Sequence, residues 1–134
     1  MHLPTAGLLI IKGRKLLLAY SKNKQCFYLP GGKIDAGETA AKALCREIAE
    51  ELNVDINEQD LKYYTHITAP AYGELKGTIM EQDCFFISKP VNAIPSAEIG
   101  ELKYFSLAEY LNESNLAPGA AIILQQLKTN GFID

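Results

Sequence analysis

Glu47, Glu50 and Glu51 stand at i, i+3 and i+4 of one stretch of chain. If that stretch is helical, the spacing fans three carboxylates over about 100° of one face. Like charges at neighbouring helical positions repel by about 0.2–0.5 kcal/mol per exposed pair, and by more where they are partly buried. Arg46 offsets one of these charges. A divalent cation with oxygen ligands would offset the rest, and hard, octahedral Mg²⁺ or Mn²⁺ suits carboxylates better than zinc does. For E-x-x-E-E alone, a solvated acidic face is the simpler explanation, so the surrounding elements decide.

Over residues 39–52, Ala41, Leu44, Ile48 and Leu52 recur at helical spacing, which predicts an amphipathic helix with Glu51 as its most buried glutamate. Asn53 suits the left-handed C-terminal cap. Upstream, Pro30-Gly31-Gly32 and Asp35-Ala36-Gly37 predict an irregular loop between a strand at 26–29 and the helix. Residues 6–11 and 15–20 are apolar runs separated by Lys12-Gly13-Arg14, a pattern that predicts an antiparallel hairpin. Aromatic and β-branched residues at 63–69 and 78–87 predict two more strands, joined by a loop that carries Tyr72 and Gly73. A short strand is expected at 103–105. Ser106 would cap a brief helix through Leu111, and Pro118 would open a last one with Ala120, Ile123, Leu124 and Leu127 on its apolar face. The class is mixed α/β.

Composition narrows the function. The 134 residues are 48% hydrophobic and 22% charged, as expected for one domain over 1–134. With 13 Lys and Arg against 16 Asp and Glu, the net charge of -3 leaves no general basic field for nucleic acid. The longest apolar run, 6–11, is far short of the roughly 20 residues that span a bilayer. Cys26, Cys45 and Cys84 lack CxxC spacing, which argues against a zinc ribbon or a disulfide scaffold and leaves the thiols as packing groups. A cytoplasmic protein without a membrane is the expectation.

The string from Gly32 through Glu38 to Arg46-Glu47-Ile48-Ala49-Glu50-Glu51-Leu52-Asn53-Val54 resembles the Nudix box, G-x5-E-x7-R-E-U-x-E-E-x-G-U with U aliphatic. Every specified position matches except Asn53, where glycine is usual and where both residues serve a left-handed cap. Chance matching of the positions from Gly32 to Glu51 has a probability on the order of 10⁻⁸ per window. The resemblance implies an α/β/α sandwich with a mixed β-sheet. It also implies a hydrolase that cleaves the pyrophosphate linkage of a nucleoside diphosphate joined to another group, with Mg²⁺ or Mn²⁺ as cofactor. Nucleoside triphosphates, ADP-ribose and nucleotide sugars are the substrate types it suggests, and a small nucleotide is the expected partner. A homodimer is left open. A non-catalytic nucleotide-sensing module on the same fold is the alternative, although such modules usually lose the box carboxylates that this chain keeps.

Carried over residue by residue, the resemblance makes Glu47, Glu50, Glu51 and the Gly31 carbonyl metal ligands, with Arg46 and Glu38 orienting the glutamates and Gly32 opening the box. The general base is either Glu47 or an acidic residue from a distant loop, for which Glu98 is favoured over Glu101. Phe27, Tyr28, Tyr72 and Phe105 are candidates to stack on a base, and Lys33, with Lys22 and Lys24, to steer phosphates. Pro70 and Tyr72 stand where family markers for ADP-ribose and for dinucleoside polyphosphates occur, and so cancel. His66 is expected to be structural or superficial. Glu81 and Asp83 share a strand face that either edges a pocket or meets water.

Overall fold

The computed structural model describes residues 1–134. Period-two alternation sends neighbouring residues of a strand to opposite faces, and two apolar cores are the result. In β1 (His2–Leu9), Ala6 and Leu8 enter one core and Leu9 the other. β1 lies inside a mixed sheet, parallel to β7 (Ile79–Ile87) and antiparallel to β5 (Gly31–Lys33), with β6 (Leu61–Pro70) antiparallel beyond β7. A second sheet joins β2 (Ile11–Lys12), β3 (Lys15–Ser21) and β4 (Cys26–Tyr28), and β8 (Ile99–Phe105) pairs with β3.

Helix α1 (Ala40–Leu52) covers one face of the first sheet, where Leu44, Ile48 and Leu52 meet Ala6, Leu8 and Phe85. The other face, the second sheet, α2 (Leu107–Tyr110) and α3 (Pro118–Thr129) enclose the larger core, which contains Phe27, Phe105, Tyr110, Ile123 and Leu127. Helices therefore flank the sheets as an α/β/α sandwich. The buried Tyr110 hydroxyl donates to Phe27 O at 2.7 Å and accepts from Ala117 N at 2.9 Å, tying the start of α3 to β4. No helix is long and apolar enough to cross a membrane.

Several expectations are corrected. The hairpin from 6–11 to 15–20 is confined to Ile11↔Leu16 and Lys12↔Lys15 around a two-residue turn with Gly13 at φ 59° and Arg14 at φ 61°. Residues 6–9 instead pair with β7, because eight ladder positions between two buried cores outweigh a short exposed ribbon. Gly31–Lys33 is an edge strand on β1 rather than irregular loop, and β8 begins at Ile99, earlier than expected. In α1 the fully buried alanine is Ala43, while Ala41 is only partly covered. The left-handed Asn53 cap agrees with the sequence, at φ 54°, ψ 41°, and at the other end Thr39 caps the helix by accepting from Lys42 N at 3.1 Å.

Candidate active site

Arg46 organises the acidic face of α1. Its guanidinium donates to Glu38 through Nε at 2.9 Å and Nη2 at 2.8 Å, to Glu47 Oε1 through Nη1 at 2.9 Å, and to Lys33 O at 3.0 Å. Asp35 lies at 3.3 Å and Glu50 at 3.8 Å. One cation therefore serves four carboxylates rather than one, and it ties the loop after β5 to the helix through charge-assisted bonds. The Arg46 bonds, helped by the Asp35 amide, hold the Glu38 carboxyl down at about 2.

The two glycines act through different neighbours. Gly31 has φ +141°, and a Cβ there would lie 2.0 Å from Ala6 O, so glycine is needed for β5 to close on β1. A Cβ on Gly32 would lie 2.4 Å from Glu47 Cδ; the missing side chain is the space that the Glu47 carboxylate fills. Glu51 Oε1 accepts from Gly31 N at 3.0 Å. Burial pushes the Glu51 carboxyl up to about 8, against the pull of that amide and with help from the charges of Glu47, Glu98 and Glu50. Glu47 is raised as well, again chiefly by burial, with Arg46 opposing. Glu50 is exposed at 56%, against 17% for Glu47, and stays with Arg46 outside the cavity that Glu47 and Glu51 line. No three His, Cys, Asp or Glu side chains close around a single point, so the glutamate triplet is divided between cavity and rim.

Glu98 reaches the same place from far along the chain. Ile94 N and Ser96 N donate at 2.9 Å to the last α1 carbonyls, Leu52 O and Glu51 O, so the loop before β8 also caps the helix. Ala97 then takes a left-handed turn at φ 55°, and the Glu98 carboxylate accepts from Ser21 Oγ at 3.3 Å and Asn23 Nδ2 at 2.9 Å. Glu101 is exposed on β8.

Glu47, Glu51 and Glu98 line one cavity of about 340 Å³ together with Gly31, Gly32 and Lys33. Leu3, Met80, Tyr72 and Ala120 supply its apolar walls. The chain matches a model of the NUDIX domain over residues 1–127. It belongs to the Nudix family. Its structure is similar to that of a MutT Nudix hydrolase from Burkholderia pseudomallei, with a TM-score of 0.76, 22% identity, and 95% of this chain and 98% of that one covered. A MutT protein from Methanosarcina mazei gives a TM-score of 0.74 at 19% identity, covering 96% and 94%. In sequence, 46 residues are 50% identical to an ADP-ribose pyrophosphatase of Methanocaldococcus jannaschii; the match spans 32% of this chain and 27% of that protein.

Within this Nudix fold the remaining candidates divide. Tyr28, Tyr72, Lys24 and Lys33 line the cavity, and the Tyr28 hydroxyl is buried with no hydrogen-bond partner. Phe27 does not line it: the side chain is 6% exposed and stacks edge-on with Tyr20 and Phe105 in the core, because its neighbour Tyr28 takes the cavity side of β4. Phe105 is fully buried, edge-on to Phe27 and Tyr110 in the core, and does not line the cavity either. Lys22 is exposed and outside the cavity. His66 bridges Glu81 and Asp83 at 2.8 Å on an exposed sheet face, a structural role consistent with its sequence context. Glu74, Thr5 and Gln82 line the cavity without having been singled out by sequence.

The chemistry of the donor set suits a divalent cation. Glu47 Oε1 and Glu51 Oε1 are committed to Arg46 and Gly31, while the second oxygen of each has no protein partner. Two desolvated carboxylates with spare oxygens in one cavity form an all-oxygen set of the kind that hard cations prefer.

Proposed function

We propose that this Nudix protein is a pyrophosphohydrolase dependent on Mg²⁺ or Mn²⁺, acting as a single domain over 1–134 on a nucleoside diphosphate linked to another group. Nucleoside triphosphate, ADP-ribose and nucleotide-sugar types are the substrate range. The observation that carries the reading is the pair of desolvated carboxylates, Glu47 and Glu51, each with an uncommitted oxygen in a cavity large enough for a nucleotide portion. Glu47, Glu51, Glu50 and the Gly31 carbonyl would hold the cation. When bound, it screens the phosphate oxygens, stabilises the leaving phosphate and acidifies the attacking water.

The chain's own groups do the rest. Lys33 and Lys24 attract the anionic substrate, and Tyr28 offers its hydroxyl beside Tyr72. Water adds to one phosphorus as the bridging P–O bond breaks, and Glu98 or Glu47 takes the proton of the water. Arg46 and Glu38 hold the glutamates in place without touching substrate. The test is phosphate or pyrophosphate release from nucleoside triphosphates, ADP-ribose, nucleotide sugars and dinucleoside polyphosphates, with and without Mg²⁺, beside Glu50→Gln and Glu51→Gln. Metal-dependent turnover that both substitutions abolish is expected. Nucleotide binding without turnover on any substrate would replace the hydrolase with a sensing module.

A further inference from the structure

Leu3, Thr5, Met80 and Gln82 project from the face of the first sheet opposite α1, so the cavity has two ends. The glutamates of α1 occupy one, and a mainly apolar floor forms the other. Gln82 is the one carboxamide on that floor. It is 7% exposed, yet its Oε1 receives only a long 3.9 Å contact from the Cys84 thiol, and its amide nitrogen donates to no protein group. The unpaired amide is not sealed in the core: the Tyr28 hydroxyl is the one fully buried side-chain polar group without a partner, and Gln82 lines the cavity, where a ligand can reach it. By contrast, Thr5, paired with Gln82 across the ladder, donates through Oγ1 to Glu81 O at 3.3 Å, and the buried Ser21 Oγ of the second sheet bonds Glu98 and Lys24 N.

The amide also has a built seat. A Cβ on Gly7 would stand 3.1 Å from both Cδ and Nε2 of Gln82 and 2.8 Å from Leu29 Cδ1. The absent side chain of Gly7 is thus what lets the carboxamide lie across β1 at the cavity floor. We propose that the Gln82 carboxamide, seated over Gly7, reads the nucleobase of the substrate through a donor and an acceptor side by side on the base edge. A carboxamide offers both in one plane, as in the bidentate pairing of Gln with adenine, and Leu29, Met80 and Tyr72 supply apolar surface for a flat ring. The inference rests on the nucleotide reading of the cavity, and it makes Gln82 a specificity residue rather than a catalytic one.

The test measures kcat/KM for nucleotides that differ only in base, and for the favoured base stripped of the exocyclic group on its pairing edge. In parallel, calorimetry reads the Kd of the corresponding nucleoside monophosphates with metal-free protein. Gln82→Leu should lower kcat/KM for the favoured base about 10- to 100-fold, mainly through KM, while the stripped analogue loses little. Gln82→Glu keeps the shape and removes the donor, so it should shift the order of base preference, and it serves if the leucine variant fails to fold. An unchanged base ratio in a folded variant, or equal Kd values across bases in the parent protein, would overturn the assignment. Base discrimination in binding without hydrolysis would leave Gln82 as the reader and refute the hydrolase. Hydrolysis blind to the base would do the reverse.

Discussion

Adjacent glycines should fail in different ways when each is replaced by alanine. At Gly31 the new Cβ would meet the Ala6 carbonyl oxygen at 2.0 Å and the Gly7 Cα at 3.0 Å, with φ at +141°. These are backbone atoms of β1 and can yield only if the β5–β1 ladder opens. Backbone strain of about 1–3 kcal/mol and overpacking of about 1–3 kcal/mol together remove about 2–6 kcal/mol, a large part of the roughly 5–15 kcal/mol that holds a domain together. At about 4 °C per kcal/mol, Tm should fall by about 8–24 °C.

At Gly32 the obstacle is the end of a side chain, with Glu47 Cδ at 2.4 Å and its oxygens at 2.6 and 2.8 Å. The carboxylate can swing away by about 1 Å at the expense of its Arg46 bond, and alanine recovers about 0.4–1 kcal/mol by restricting the unfolded chain. Thermal melting without added metal should therefore show Gly32→Ala within about 3 °C of the parent. Its kcat/KM should fall about 100-fold, the usual result of a 1 Å misplacement at a reacting centre. A Gly32→Ala protein that melts as low as Gly31→Ala, or one that keeps full activity, would refute the distinction between a glycine that admits a strand and one that admits a carboxylate.

Two further outcomes follow from the charges. A Glu51 carboxyl at about 8 binds its proton more tightly folded than unfolded, so the stability this adds is present below the ordinary value near 4.5 and drains as pH rises to about 8; metal-free melting should fall across that window, by up to about 1.4 kcal/mol per pH unit, and Glu51→Gln should flatten the curve. Glu74 accepts from Lys24 Nζ at 2.9 Å and lies 3.7 Å from Lys33 Nζ, so it competes with substrate phosphate for both lysines. Glu74→Gln should lower KM several-fold at low salt with kcat unchanged, and an effect of the same size at high ionic strength would show that charge is not the cause.

How much of the fold could be read depended on how far the deciding interaction reaches. Helix α1 is set by its own period and by caps three residues or one residue away, Thr39 with Lys42 and Asn53 at the end, so its extent was legible. The turn at Gly13-Arg14 is equally local. The partition of residues 6–12 was not, because it depends on pairing His2 with Ile79 and Leu9 with Phe86, and nothing between Thr5 and Lys12 signals that the chain will leave one sheet for the other at Ile10. The strand at Gly31–Lys33 was hidden for a related reason. Two glycines read as a loop unless one knows that β1 lies close enough to exclude any side chain.

The site divides along the same line. The box residues lie within one loop and one helix, so the shared face of Glu47, Glu50 and Glu51 was legible, although the sequence limited Arg46 to offsetting a single charge where the structure gives it four carboxylates. Glu98 was favoured through the family resemblance as an acidic residue of a distant loop, with nothing in its own stretch to say how it gets there; what brings it in is the capping of Glu51 O and Leu52 O by Ser96 N and Ile94 N, bonds between segments more than forty positions apart. Phe27 and Tyr28 show the limit of alternation, which separates neighbours but does not say which of them meets the ligand. Gln82 is different, because its signal was present. Once Glu81, Asp83 and Phe85 are assigned to one strand face, Met80, Gln82, Cys84 and Phe86 must share the other, and a lone carboxamide among apolar neighbours on a core-facing row has either a buried partner or a ligand to find.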